Sequence, residues 1–531
     1  MTNLLHRVEA SLRSFYIFNS SYGGREGQEH KKILFYHPDD IEMNTKIKDV
    51  GLSEAIITFT DTFAEGTGCD ILHTLKTTQI FLQPEDGFWC VMTLNVPKTV
   101  CSKQDEEYED YRNGEINDEI YRKVLQESYN RFCLQYGSFD TILNSAKNGS
   151  SNAQSKLREK LNIFYSEYVQ SLNLPISDVT QFLRSVQYLP LSKTLFLRVH
   201  NFIQMVQATF PAIVDTLFLF NDQIVSGGKF EPSILFTIYN YIMDNRILRR
   251  PQRLTEGIEF EGSQKIFLNR NNELVPFKIY HHCSSSASLY MYVKRGDILS
   301  SEIREDLETY IDAQLALLAY DIARFIMSHS KVLTLVNNSV EPEALIPRYL
   351  FVNEQTLKHI SNIGNSKGEK TSSAVCQKSL PLHVVNLLID SAATTKENNK
   401  NVAMPQFEET LIKSTTDFWI VKRQCNWRQF YVVIFNKKAT LLDVTAEAER
   451  IFDQEVTDDV LYAGLRWRIL CAQKAQQTAR EGSQVNRAVV GTAPFSELEN
   501  TLPLLLLPVM PTWLIVLRSY RIRLTTDFKQ Y

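Results

Sequence analysis

SFYIFN at Ser14–Asn19 and KILFYH at Lys32–His37 are short apolar runs rich in aromatic and β-branched side chains. Between them YGGREGQ, Tyr22–Gln28, supplies glycine and polar residues, so the pair reads as a hairpin of buried strands. Working outward, Lys46–Glu65 carries Leu52, Ala55, Ile56, Phe59 and Phe63 at helical spacing. That stripe is expected to pack on the sheet, leaving Ile57 and Thr60 facing outward or toward a partner. Strands are expected at Asp70–Lys76, Thr78–Leu82 and Phe88–Leu94, giving two strands, a helix and a three-strand meander. The acidic stretch Asp105–Glu119 reads as a solvated linker. Two helices follow, one lined by Tyr121, Val124, Leu125, Phe132 and Tyr136, the other by Leu157, Leu161, Phe164, Tyr165, Tyr168 and Leu172. A Gly/Ser/Asn loop around Asn148–Asn152 separates them, and Pro175 closes the unit.

The pattern recurs twice without sequence self-similarity. A second unit, 190–335, is expected to hold a helix at Lys193–Gln207 and strands at Val214–Asn221 and Gln223–Ser226. A helix at Pro232–Asn245, a basic loop and strands Phe277–His282 and Leu289–Lys294 come next. The long helix Glu302–His329 closes it. A third unit, 345–462, begins with the strand Arg348–Val352 and continues with helices at Leu382–Ser391 and Phe407–Ser414. Strands Asp417–Lys422, Gln429–Asn436 and Thr440–Asp443 and a helix at Ala446–Phe452 complete it. The fold class is α/β, with three units of similar size and a tail, 463–531, that fits none of them.

Composition bounds the function. A 44% apolar, 22% charged chain of 531 residues suits several soluble folded units. The net charge of -4 gives no basic footprint for nucleic acid. Eight scattered cysteines form no C-x-x-C pair and suit a reducing, cytosolic setting. The opening MTNLLHRVEASLRSF has no signal-peptide apolar core and reads as amphipathic or frayed. Leu502–Leu517 (LPLLLLPVMPTWLIVL) is nearly all apolar but is cut by three prolines and is shorter than the roughly 20 residues a spanning helix needs. A membrane span, a docked hydrophobic segment and an atypical tail from an unusual transcript stay open.

Signatures of covalent chemistry are missing. No H-E-x-x-H, G-x-S-x-G, EF-hand or zinc-finger spacing occurs, so no catalytic residue, metal or cofactor is expected. Gly364–Thr371 (GNSKGEKT) resembles a phosphate-binding loop with its second glycine one residue early and no buried strand before it; it reads as a flexible loop. His281, His282 and Cys283 alternate faces on a strand, which suits core or surface roles better than a metal. Asp39 and Asp40 suit turn and capping roles. Arg246, Arg249, Arg250 and Arg253 bracket Pro251 and form either a solvated loop or a contact for anionic lipid.

The runs Ser14–Asp40, Val50–Phe63 (VGLSEAIITFTDTF) and Leu72–Met92 (LHTLKTTQIFLQPEDGFWCVM) closely resemble the first longin domain of the Ccz family of vacuolar fusion proteins. LFLFNDQIVSGG at Leu217–Gly228 and Asp417–Val444 resemble later parts of that family. The resemblance spans Arg13 to Tyr462, and the tail departs from it. It implies three longin-like α/β/α domains, each an antiparallel five-stranded sheet flanked by helices, at 1–175, 190–335 and 345–462. It also implies pairing with the related Mon protein into a guanine nucleotide exchange factor for the late-endosomal Rab GTPase (Rab-seven), acting in endosome maturation, lysosome or vacuole fusion and autophagy. Exchange needs no nucleophile or metal. A cytoplasmic protein recruited peripherally to late endosomes and lysosomes is expected, with a third regulatory subunit left open. A non-catalytic longin scaffold or adaptor, or another triple-longin exchange factor, is the alternative.

Site residues are expected on the first unit. Leu72, His73 and Thr74 on an edge strand, with Ile57, are candidates for the Mon interface, because an unpaired edge invites strand addition. Ile47, Lys48 and Val50 at the helix start and Lys76, Thr77 and Thr78 in the following turn are candidates for the GTPase surface. Ile47 and Val50 read either as ordinary edge packing or as an apolar wedge against switch I.

Overall fold

The computed structural model describes residues 3–455 except 64–68, 104–105, 112–115, 148–152, 173, 175–178, 249–264, 271–272, 285, 295–300, 337–346, 364–379, 400–407, 415–417, 426 and 437. The phosphate-loop-like stretch 364–371 and the tail 463–531 lie outside the described residues. The first unit comprises β1 (Asn3–Val8), β2 (Ser11–Asn19), β3 (Ile33–His37), α1 (Met43–Asp61), β4 (Ile71–His73), β5 (Thr77–Glu85), β6 (Phe88–Asn95), β7 (Lys98–Lys103) and β8 (Glu106–Asp110). Its main sheet is antiparallel in the order β3-β2-β6-β5-β4. Phe15 and Ile17 of β2 face helices α2 (Asp118–Tyr136) and α4 (Ala153–Ser171), while Tyr16 and Phe18 face α1. Both faces are covered, which is why these strands read as unbroken apolar runs.

Three stretches of this unit differ from the sequence reading. The opening residues and part of the acidic linker are strands, because β1 and β7 continue β2 and β6 and keep the pairing going from Ser11↔Asn95 to Arg7↔Thr99. Acidic β8 joins that ribbon through a cross-strand ion pair of Lys98 with Glu109. A short helix missing from the reading, α3 (Phe139–Lys147), starts where the Glu85 carboxylate accepts the backbone N–H groups of Phe139 and Asp140 at 2.6 and 2.8 Å.

A connecting helix α5 (Val179–Leu183) and the two-residue strand β9 (Val186–Gln187) lead into α6 (Lys193–Thr209), β10 (Ile213–Phe220), β11 (Gln223–Ser226) and α7 (Pro232–Leu248). Strands β12 (Lys265–Arg270), β13 (Glu273–Ser284) and β14 (Ala287–Lys294) and the 36-residue helix α8 (Ser301–Val336) follow. The second sheet is ordered β11-β10-β14-β13-β12, with α6 and α8 on one face and α7 on the other. Gly228 has φ +65, which accounts for the last glycine of the LFLFNDQIVSGG run. A Cβ there would stand 2.3 Å from Asp215 Oδ1, the carboxylate that accepts the N–H groups of Thr216 and Lys229.

The third unit holds β15 (Arg348–Asn353), β16 (Lys358–Ser361), α9 (Leu382–Asn399), β17 (Glu408–Lys413), β18 (Trp419–Cys425), β19 (Arg428–Ile434) and α10 (Leu441–Glu455). The expected helix at Phe407–Ser414 is strand β17. Glu409 lies opposite Arg423 in register and meets it at 2.9 Å, while Leu411 and Ile412 enter opposite faces. The expected strand Thr440–Asp443 is the start of α10. Thr440 N–H donates to Asp443 Oδ2 and Asp443 N–H to Thr440 Oγ1, a reciprocal cap that periodicity could not separate from a strand. The third sheet has six strands, not five, in the order β17-β18-β19-β15-β16-β9. The sixth is borrowed from the connector: β9 pairs parallel with β16. One hydrophobic cluster runs from the first sheet through Val179, Phe182 and Leu183 of α5 into α9 and the third sheet. Among the described residues no helix is long and apolar enough to cross a membrane.

Candidate functional site

Helix α1 packs on its sheet through the face opposite to the one its sequence suggests. Lys46, Val50, Ser53 and Ile57 are buried, at spacings of four, three and four residues. Two sheet tyrosines explain the choice. Tyr16, whose phenol burial pushes up to about 12, shares a 2.7 Å hydrogen bond with Ser53 Oγ. Tyr36 donates to Asp49 Oδ2 at 2.6 Å. Lys46 Nζ reaches back to the Asp39 carbonyl at 2.8 Å and its carboxylate at 3.1 Å, lying 5.5 Å over the Tyr36 ring. A face carrying Leu52 or Phe59 could not satisfy those hydroxyls, and a buried polar group without a partner is costly.

The expected stripe is therefore largely a surface. Leu52 is 54%, Phe59 64% and Phe63 76% exposed; Ala55 is exposed as well, and Ile56 is half-buried. Met43, at the other end of the helix, is 51% exposed. The Phe59 and Phe63 rings meet edge to face at 4.9 Å. Conversely Ile57, expected to face a partner, is 8% exposed and packs among Tyr16, Phe18, Phe81 and Val91. Val50, expected to touch the GTPase, is 2% exposed in the same cluster.

The other expected contact residues divide. Ile47 is half-buried and Lys48 exposed at the start of α1. Lys76 is exposed with its ammonium 6.0 Å from the Tyr111 ring. Thr77 and Thr78 are buried, Thr77 held by Thr74 Oγ1 at 2.9 Å, so neither offers a contact surface. Leu72 is half-buried against the α1-side cluster, and His73 and Thr74 are exposed. The strand of Leu72 and His73 is indeed the last of the sheet, although it spans three residues rather than seven and ends before Thr74. His73 Nε2 lies 2.9 Å from Asp118 Oδ2, and Arg122 pairs with Asp70 at 2.8 Å, tethering this edge to α2. Cys69 N–H donates to Thr60 Oγ1 at 2.9 Å, which places the start of β4 beside the C-terminal end of α1.

Arg246 lies in the last turn of α7; Arg249, Arg250 and Arg253 are outside the described residues. His282 meets Asp312 of α8 at 2.6 Å, and the His281 ring stacks on Tyr290 at 4.4 Å. Among the described residues no group of three or more His, Cys, Asp or Glu is placed to hold a metal ion. What the first unit offers is a ridge of large apolar side chains along one helix and a tethered sheet edge at the end of that helix. An exposed apolar ridge of this kind marks an interaction surface.

A sheet sandwiched between α1 and a helical pair, carried with two further α/β units, has the α/β/α layout expected of longin-like domains. The family model described as the first Longin domain of INTU, CCZ1 and HPS4 matches residues 12–137, and that described as Intu longin-like domain 3 matches residues 345–451. The chain is 28% identical over 474 residues to a Xenopus laevis protein named Vacuolar fusion protein CCZ1 homolog, covering 84% of this chain and 96% of that protein. Proteins of the same name from Danio rerio and Dictyostelium discoideum are 28% and 24% identical over 472 and 470 residues, each spanning 83% of this chain and 94% and 96% of theirs. The resemblance to the Ccz family is borne out.

Proposed function

We propose that this protein serves vesicle and vacuolar fusion as one subunit of a heterodimeric guanine nucleotide exchange factor. Its partner is the Mon protein, and its substrate is the late-endosomal Rab GTPase (Rab-seven). The observation that carries the reading is the exposed α1 ridge beside the β4 edge, in a chain similar along most of its length to vacuolar fusion proteins. Leu52, Phe59 and Phe63 supply the apolar core of a longin–longin contact, and Ile47, Lys48 and Lys76 remain the accessible part of the GTPase surface. The work is mechanical and needs no covalent chemistry. The pair binds the nucleotide-free GTPase better than the loaded one and displaces switch I. A 10⁵-fold faster release requires about 7 kcal/mol of such preference, which calls for a broad interface. Peripheral recruitment from the cytoplasm to late-endosomal and lysosomal membranes, through the basic segment ending α7 or a third subunit, completes the proposal.

The test is release of a fluorescent guanine nucleotide from the late-endosomal Rab by this chain mixed with Mon. Leu52→Asp with Phe59→Asp is expected to abolish co-purification with Mon and nucleotide release while leaving the melting temperature near wild type. Release that persists in this variant overturns the assignment of the ridge. No release by the wild-type pair, with Mon still bound, favours a longin scaffold.

A further inference from the structure

We propose that in the unpaired chain the apolar run Leu502–Leu517 of the same polypeptide covers the α1 ridge, so that the tail and the longin partner compete for one face. The inference rests on the reading of that ridge as the pairing surface and adds a control on it. Three observations favour this occupant. First, the ridge needs a cover. Leu52 and Phe59 on α1 and Phe63 in the turn just after it each keep more than half of the residue's surface in water, a concentration of large apolar groups that folded proteins rarely leave bare. Second, the tail has matching chemistry. LLLL at Leu504–Leu507 and WLIVL at Trp513–Leu517 are two apolar blocks set off by Pro508 and Pro511. Arg518, Arg521 and Arg523 follow directly. The last turn of α1 carries Asp61 and no basic residue, and a helix C-terminus has a negative dipole end, so the arginines complement the end of the helix beside Phe59 and Phe63.

Third, the tether allows it. Residues 456–501 join the end of α10 to the apolar run, a length that can span up to about 150 Å. The third unit from which it leaves shares one hydrophobic cluster with the first, so both ends of the tether belong to one packed body. A tethered segment acts at an effective concentration on the order of 1 mM, so an intrinsic affinity of only ~0.1 mM keeps the ridge covered about nine-tenths of the time. That occupancy slows access to the ridge about tenfold and still yields to a partner binding in the micromolar range.

The experiment uses the full chain carrying Phe59→Cys, an exposed position, and follows maleimide labelling of that cysteine by peptide mass spectrometry. Two tails are compared, the natural one and one carrying Leu505→Asp and Ile515→Asp. The proposal expects labelling about tenfold faster with the substituted tail, independent of protein concentration. On the otherwise natural chain, the same tail change is expected to tighten Mon binding about tenfold. Equal labelling rates for the two tails overturn it. So does protection that grows with protein concentration, which would assign the ridge to a second copy, or protection that appears only with phosphatidylcholine–phosphatidylserine vesicles, which would assign the tail to a membrane. If labelling behaves as expected while Leu52→Asp with Phe59→Asp leaves Mon binding intact, the tail contact stands and the pairing assignment fails.

Discussion

Glu127 of α2 is the hub of a buried charge cluster that joins the first unit to the second. Its carboxylate lies 3.4 Å from Arg131 Nε and 3.1 Å from Arg184 Nη2, and accepts the Thr237 hydroxyl of α7 at 3.1 Å. Arg131 in turn reaches Asp244 of α7 at 2.5 Å. Burial pushes the Glu127 carboxyl above its usual range, although both arginines pull it down. At Glu127 desolvation thus outweighs the pairing, whereas at Arg131 burial lowers the guanidinium and the Asp244 and Glu127 carboxylates more than offset it. Changing Glu127 to Ala leaves two mostly buried guanidinium groups short of a counter-charge. Removing one member of such a buried set costs about 3–5 kcal/mol. With several packed units, a single unfolding free energy is ill defined. Amide hydrogen exchange in α2 and α7 is the better assay, and 3 kcal/mol there corresponds to about 150-fold faster exchange through local opening. The triple change Glu127→Leu, Arg131→Met and Arg184→Met, which removes the most buried charges and leaves only the partly exposed Asp244, is expected to recover most of that loss. An Ala variant whose α2 and α7 amides exchange within fivefold of wild type would refute the reasoning, as would a triple variant worse than the single one.

Two further outcomes follow from the same physics. Ile57→Ala is expected to destabilise the first unit by about 2–4 kcal/mol and Phe59→Ala by less than about 0.5 kcal/mol, the reverse of what the sequence pattern suggests; thermal unfolding of the two variants decides it. His359 on β16 is buried, and burial lowers its imidazole from the ordinary 6.5 to about 4. Between those values the unfolded chain holds a proton that the folded chain does not. Its contribution of about 3 kcal/mol is therefore complete above pH 6.5 and lost as pH falls toward 4. His359→Leu should flatten the melting temperature across that window, and an unchanged acid slope would count against a buried neutral imidazole.

How much of this was legible in the sequence depends on whether a residue's partner was local. The β2–β3 hairpin, the meander and α2 were readable because aromatic runs, glycine turns and helical spacing are all nearest-neighbour signals. The facing of α1 was not, because apolar side chains ring the helix and the decision lies with Tyr16 and Tyr36, whose hydroxyls need Ser53 and Asp49 more than 10 residues away. A strand pair of tyrosines followed by a helix with Ser and Asp four residues apart is the signal that could have revealed it. Strand β17 was misread because six residues hold too little periodicity to separate it from a helical turn, and only its pairing with β18 decides. Of the expected contact residues, Ile47, Lys48, Lys76, His73 and Thr74 keep accessible surface, whereas Val50, Ile57, Thr77 and Thr78 turn out to be core.

The borrowed strand β9 sets the order in which the chain can be finished. Val186 N–H donates to the Leu357 carbonyl, Tyr188 N–H to that of His359, and Leu189 N–H to that of Ile224, so three connector residues tie the second sheet to the third. During synthesis this segment leaves the ribosome some 170 residues before its partner strand exists. Until then α5 exposes Val179, Phe182 and Leu183, whose burial is shared with α9. A fragment ending before residue 345 should accordingly be sticky, and one beginning after residue 190 should lack the outer strand of its last sheet. The three α/β units are separate in sequence but are completed as one body.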